Sequence, residues 1–221
     1  PSGNLLAINM SDSKAKRGRP RNDKLAIRRE QKILSEAAIF FADYGYRQAD
    51  IQLLAERIGI GKGTVYRYFP TKEALFLGAV DDGIRRLIES IDSAVEGEED
   101  PIEHIKKAIH AYLGFFDRHP HIVELLIIER AEFRDRKQAT YFTYKERQHD
   151  QRLQFIKNAM AKGVIREMNP ERIMRLFGDT LYGTIFTNNF SRRKVPFEEQ
   201  AEDIIDILLQ GILSDAYRQK Q

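Results

Sequence analysis

The sequence predicts an all-α protein of about nine helices, and three observations carry that prediction. Apolar residues recur at spacings of three and four through most of the chain, as they do along one face of a helix. Helix-start signals stand before these runs, at Asp50, Thr71, Asp100-Pro101, Asn169-Pro170 and Pro196. Period-two alternation is missing and β-branched residues do not cluster between turn signals, so no strand is read.

Taken in order, residues 1–21 are polar, rich in Ser, Gly, Lys and Arg, and read as a disordered basic arm. Asn22 or Asp23 can cap a first helix carrying Ile33, Ala37, Phe40, Phe41 and Tyr44, with Gly45 as its stop. Asp50 caps a short helix from Ile51 to Ile58, Gly59 turns the chain, and Gly63 to Phe69 form a third helix before Pro70. Thr71 caps a fourth, with Leu75, Phe76, Ala79, Ile84, Leu87 and Ile91 on one face. After an acidic loop at 96–100, Pro101 opens a helix carrying Ile102, Ile105, Ile109, Tyr112 and Phe116. His119-Pro120 breaks the chain, and another helix runs from Ile122 to about Arg134. A polar helix is expected over 140–162, stopping at Gly163, then helices over 170–189 and 196–217. The expected organisation is an arm (1–21), a three-helix head (22–72), a connecting helix (73–95) and a larger helical body (96–221).

Composition narrows the function classes. Hydrophobic residues make up 42% of 221, enough for a core. The densest apolar run, Leu125 to Ile128, falls far short of the roughly 18 residues a membrane span needs. Pro1 to Met10 lacks the pattern of a secretory signal, so a cytoplasmic protein without membrane contact is expected. Cysteine is absent, which excludes disulfides, thiolate catalysis and Cys-based zinc sites. Residues 1–72 carry fourteen Lys and Arg against seven Asp and Glu, whereas 73–221 carry twenty-two against twenty-six. A basic front on a mildly acidic body suits a nucleic-acid end and a separate body.

Two short helices about a glycine turn, after one longer helix, make a helix-turn-helix. Ala55 is small where the helices must cross, Gly59 takes the turn, and Ile60 plugs the angle. Val65 and Phe69, four apart, face inward and leave Lys62, Thr64, Tyr66, Arg67 and Tyr68 to point outward. Those are the side-chain types that meet phosphates and base edges. Packing of the small domain remains the other account of Tyr66 and Tyr68.

The run Ile60-Gly61-Lys62-Gly63-Thr64-Val65-Tyr66-Arg67-Tyr68-Phe69-Pro70-Thr71-Lys72-Glu73-Ala74-Leu75-Phe76 resembles the signature of the tetracycline-repressor (TetR) family. With Ile33-Leu34 to Tyr44-Gly45, the resemblance covers about residues 27–87. Gly61 departs from the Ser or Thr usual in that family at the recognition-helix cap, a change of roughly a few tenths of a kcal/mol. The resemblance implies a DNA-binding transcription regulator, most simply a repressor released from its operator by a small molecule. It puts Thr64, Tyr66 and Arg67 in the major groove, and Lys62, Tyr68 and Lys72 on phosphates, with Gly63 beside them. In the arm, Lys16-Arg17-Gly18-Arg19-Pro20-Arg21 resembles an AT-hook core, in which Arg17 and Arg19 would lie in a narrow minor groove. A solvated basic tail is the alternative.

Members of the family dimerise through their last two helices and hold an effector among the helices before them. Carried over, that implies a homodimer on palindromic double-stranded DNA, with Ile173, Leu176, Phe177, Leu181, Ile205, Leu208 and Ile212 at the interface. It implies a small apolar or aromatic effector among Tyr112, Phe115, Phe116, Phe133, Tyr141, Phe142, Phe155, Tyr182 and Phe186. Ordinary core packing accounts for many of the same residues. No cofactor, metal site or catalytic group is expected. His119-Pro120-His121 reads as a cap or surface pair, and Glu124, Glu129 and Glu132 as surface carboxylates. Two other classes stay open: a ligand-independent DNA-organising protein, whose body would enclose no sizeable pocket, and a helical enzyme with an incidental head.

Overall fold

The computed structural model describes residues 23–191 and 195–212, with 215 and 219, and these hold ten helices and no strand. The head is α1 (Asp23–Gln48), α2 (Ile51–Ile58) and α3 (Lys62–Tyr68). Ile33, Ala37, Phe40 and Phe41 form the buried stripe of α1, each at most 1% exposed. Burying a Phe or Ile side chain contributes about 1.5–3 kcal/mol relative to leaving it in water. Helical geometry breaks at Gly45, whose φ of 72° suits glycine, and one further turn completes α1 at Gln48.

The chain then enters α4 (Lys72–Val95), where Thr71 Oγ1 accepts from the Ala74 amide at 2.9 Å, as its capping role requires. This helix packs on α1 and also on α5 (Pro101–Arg118) and α6 (Pro120–Glu132), so one core runs from head to body. At Gly83 the approach of α6 is close: a Cβ there would lie 2.7 Å from Ile122 Cδ1. Asp100 caps α5 by accepting from the Ile102 amide at 2.7 Å, with Pro101 in the first turn.

The polar helix expected over 140–162 is two helices, α7 (Thr140–Arg147) and α8 (His149–Ala161), which accounts for ten helices rather than nine. Gln148 bends the path at φ −94° and ψ 0°, while backbone bonds from its amide to Tyr144 O and from Arg152 to its own carbonyl keep the helical phase. The bend serves two packing partners, since α7 lies on α4 and α8 on α9 (Pro170–Ser191). Asn169 caps α9 through the Glu171 amide at 2.9 Å, and α10 (Phe197–Ile212) packs on α5.

Candidate nucleic-acid interface and body cavity

The helix-turn-helix is held by local hydrogen bonds and a small buried anchor. Asp50 Oδ1 accepts from the Gln52 amide at 2.8 Å and starts α2. Gly59, at φ 78° and ψ 37°, ends it, and the Ile60 amide closes the turn on Ala55 O at 2.9 Å. A side chain at Gly59 would be strained, because only glycine adopts this left-handed conformation freely. Ala55 is fully buried at the helix crossing. Lys32 of α1 donates to the last carbonyl of α2, at Ile58, over 3.3 Å.

Gly61 caps α3 through its backbone alone, with the Thr64 amide on Gly61 O at 2.8 Å. Val65 is wholly buried and Phe69 nearly so, which fixes how α3 is rotated. That rotation leaves Lys62, Gly63 and Arg67 exposed and Thr64, Tyr66 and Tyr68 half-buried. The Arg67 guanidinium lies 5.7 Å from the Tyr68 ring centroid. Tyr66 and Tyr68 also pack on the core, so both serve the small domain as well as its surface. Lys72 stands apart from this row: its ammonium donates to Arg47 O at 3.1 Å and lies 5.2 Å from the Tyr46 ring. Arg17 and Arg19 lie outside the described residues.

The body holds a cavity of about 300 Å³, open to solvent on one side, between α4, α5, α7, α8 and α9. Its walls are mainly apolar, with Ile109, Ile156, Ile173 and Leu181 among them beside the rings of Phe155 and Phe177. At one place the Tyr112 and Tyr141 hydroxyls meet at 3.0 Å, and burial pushes both phenols above their ordinary pKa. Lys145 and Arg152 also line it.

Residues 33–79 match the bacterial regulatory proteins of the tetR family. The matched segment is the helix-turn-helix head, which is similar to that family. Nucleoid occlusion factor SlmA of Vibrio campbellii is 27% identical over 118 residues, 51% of this chain and 60% of that protein. The HTH-type transcriptional regulator EthR of Mycolicibacterium smegmatis is 32% identical over 111 residues, 50% of this chain and 51% of its own. The chain thus spans about half to three-fifths of the length of these relatives. A Saccharomonospora viridis structure shares the fold at a TM-score of 0.72 and 16% identity, covering 85% of this chain and 99% of that one.

The expected effector residues divide. Tyr112, Tyr141 and Phe155 line the cavity, and Phe142, Tyr182 and Phe186 continue from Tyr141 as a chain of ring contacts at 4.5–5.4 Å. Phe115, Phe116 and Phe133 do not line it. Phe115 and Phe116 pack edge to face in the core, and Phe133 joins Phe76 and Tyr46 where the head meets the body. The expected interface residues divide as well. Ile173, Ile205 and Ile212 are buried in the chain's own core, while Phe177 and Leu181 line the cavity. Leu208 is half-buried and Leu176 half-exposed. Phe190 and Ile207, at 68% and 70% exposed, leave more apolar surface uncovered than any of these.

Glu129 is not a surface carboxylate. It is 1% exposed, and its Oε1 accepts from the Thr140 amide at 3.0 Å, from Thr140 Oγ1 at 2.7 Å and from Arg136. It therefore caps α7 from α6, where Ala139 offers no side-chain acceptor. Glu124 accepts from Asn189 of α9 at 3.0 Å, and Glu132 pairs with Arg47 of α1 at 2.9 Å. His119 caps the α5–α6 corner, with Nδ1 at 2.9 Å from Phe115 O and Nε2 at 2.9 Å from an Arg86 nitrogen. That pairing makes Nδ1 the donor and leaves Nε2 to accept from a cation. Among the described residues no group of three His, Cys, Asp or Glu could hold a metal ion, and no helix is long and apolar enough to cross a membrane.

Proposed function

We propose that this chain is a transcription regulator that reads duplex DNA as a homodimer through α3 and is released by a small molecule held in the body cavity. The observation that carries the reading is the rotation of α3: Val65 and Phe69 bury one side, and Lys62, Arg67 and the rims of Thr64, Tyr66 and Tyr68 form the other. A short helix with donors on its outer face suits the major groove. Arg67, Tyr66 and Thr64 read bases in this account, while Lys62, Tyr68 and Lys72 hold phosphates and the bare backbone at Gly63 lets the groove wall come close. The Lys72 contact requires its ammonium to leave, or share, the Arg47 carbonyl.

One such helix reads too few base pairs for useful specificity, so a second copy is needed. Exposed Phe190, Ile207 and Leu176 on α9 and α10 supply apolar surface for it. The cavity argues against ligand-independent DNA organisation, which expects a body without one. The Saccharomonospora viridis relative was solved in complex with choline, so a body of this fold accommodates small molecules. A regulator of this kind binds rather than catalyses, and it works in the cytoplasm with the DNA.

Selection from a random duplex library tests the reading. The expected result is enrichment of an inverted repeat whose half-sites lie about one helical turn apart, bound by two chains. Recovery of unselected sequences in proportion to the input would overturn it.

A further inference from the structure

The cavity has mainly apolar walls, and its lining carries two cationic side chains, Lys145 and Arg152, against one carboxylate, Asp92. Tyr112, 6% exposed, and Tyr141 share one hydrogen bond at 3.0 Å. Two hydroxyls supply two hydrogens, and one bond between them uses one, so the second phenol hydrogen is left to donate. Arg152 of α8 lies close enough to both phenols to draw their pKa values down against the larger effect of burial, which raises them. Its hydrogen-bond partner is the neutral Gln148 side chain. Lys145 of α7 faces the same space, and its nearest carboxylate, Asp179, is 3.9 Å away and 66% exposed. Asp92 is the carboxylate of the lining, and like Arg152 it is exposed, so both stand at the cavity's solvent side. The two lining histidines are otherwise engaged: His149 faces Glu171 at 3.2 Å, and His104 stacks on Phe155 with its pKa lowered by burial.

A phenol hydrogen, a guanidinium and an ammonium thus share the lining of one mainly apolar cavity. A ligand that fits must bring the acceptors and the negative charge, because charge-assisted hydrogen bonds to an anion satisfy all three donors at once. About 300 Å³ corresponds to roughly ten atoms the size of a water at ~30 Å³ each. We propose that the cavity takes an amphipathic organic anion, a short aliphatic chain ending in a carboxylate, with its head between Arg152, Lys145 and the tyrosine pair. This rests on the cavity being the effector site.

Calorimetry of the full chain with decanoate, decanol and decyltrimethylammonium, all below their aggregation concentrations, tests it. The tails are alike, so affinity differences report the head group. Decanoate should bind once per chain and about tenfold or more tighter than decanol, with the cation weakest. R152Q and K145Q should each bring decanoate towards decanol and leave decanol unchanged. Decanol binding as tightly as decanoate, the cation binding best, or an unchanged ratio in both variants would overturn the proposal. Should either variant fail to fold, the three-probe comparison on the unaltered chain decides alone. Release of DNA by decanoate is measured separately. Head-group selectivity without release upholds the anion site and counts against the effector reading, whereas release without selectivity does the reverse.

Discussion

At Glu129 a carboxylate with 1% of its surface exposed ties the loop after α6 to the first turn of α7. Removing it leaves the Thr140 amide and hydroxyl without their acceptor, and Arg136 without its charge partner. Glu129→Ala is expected to lower the unfolding free energy by about 1–3 kcal/mol. Glu129→Gln should cost less, because its amide oxygen can still accept from Thr140. Urea unfolding of the two variants measures both, and an Ala variant as stable as the parent would show that the bonds are idle. The position was partly legible: Ile122, Leu125, Leu126 and Glu129 fall on one helical stripe, and the first three are buried. Residue type outweighed periodicity, because a carboxylate reads as solvent-facing until its partners are known. Val65 and Phe69 show the opposite case, in which type and spacing agree and the exposed side of α3 follows directly.

The helices themselves were legible where a capping residue precedes an apolar run, as at Asp50, Thr71, Asp100 and Asn169. The α7–α8 segment was not. Tyr141, Lys145, Gln148, Arg152 and Phe155 recur at spacings of four and three and all line the cavity. Such a stripe mixes charge, amide and ring, so no hydrophobic period marks it as inward-facing. Neither glycine nor proline announces the bend at Gln148, which reflects packing of α7 and α8 on different neighbours. Close packing between helices was equally silent. Gly83 inside α4 would gain about 1 kcal/mol of helix propensity on becoming Ala. The new Cβ would fall 2.7 Å from the end of Ile122, a side chain with no exposed surface into which to retreat. Overpacking of about 1–3 kcal/mol should outweigh the propensity gain. Gly83→Ala is thus expected to melt lower than the parent in a thermal scan, and a higher melting temperature would mean that α6 shifts freely against α4.

Head and body meet through Tyr46, Phe76 and Phe133, whose ring centroids lie 5.0–5.3 Å apart, and through Arg47 and Glu132 at 2.9 Å. These contacts join residues far apart in sequence, so the helical pattern could suggest a head and a body but not their seam. The apolar surface left on α9 and α10 belongs to the same scale. Ile207→Asp puts a charge where a second copy would bury 70% of an isoleucine, and sedimentation should show it monomeric at concentrations where the parent is dimeric. A parent chain that sediments only as monomer would contradict the two-copy reading. The central claim, that α3 reads sequence, is tested most directly by binding Arg67→Ala and Lys62→Ala to the selected duplex and to random duplex across a salt series. Lys62→Ala should weaken both alike and reduce the salt slope by about one. Arg67→Ala should lose about 1–3 kcal/mol chiefly on the selected site. Equal loss on both duplexes from Arg67→Ala would contradict the account.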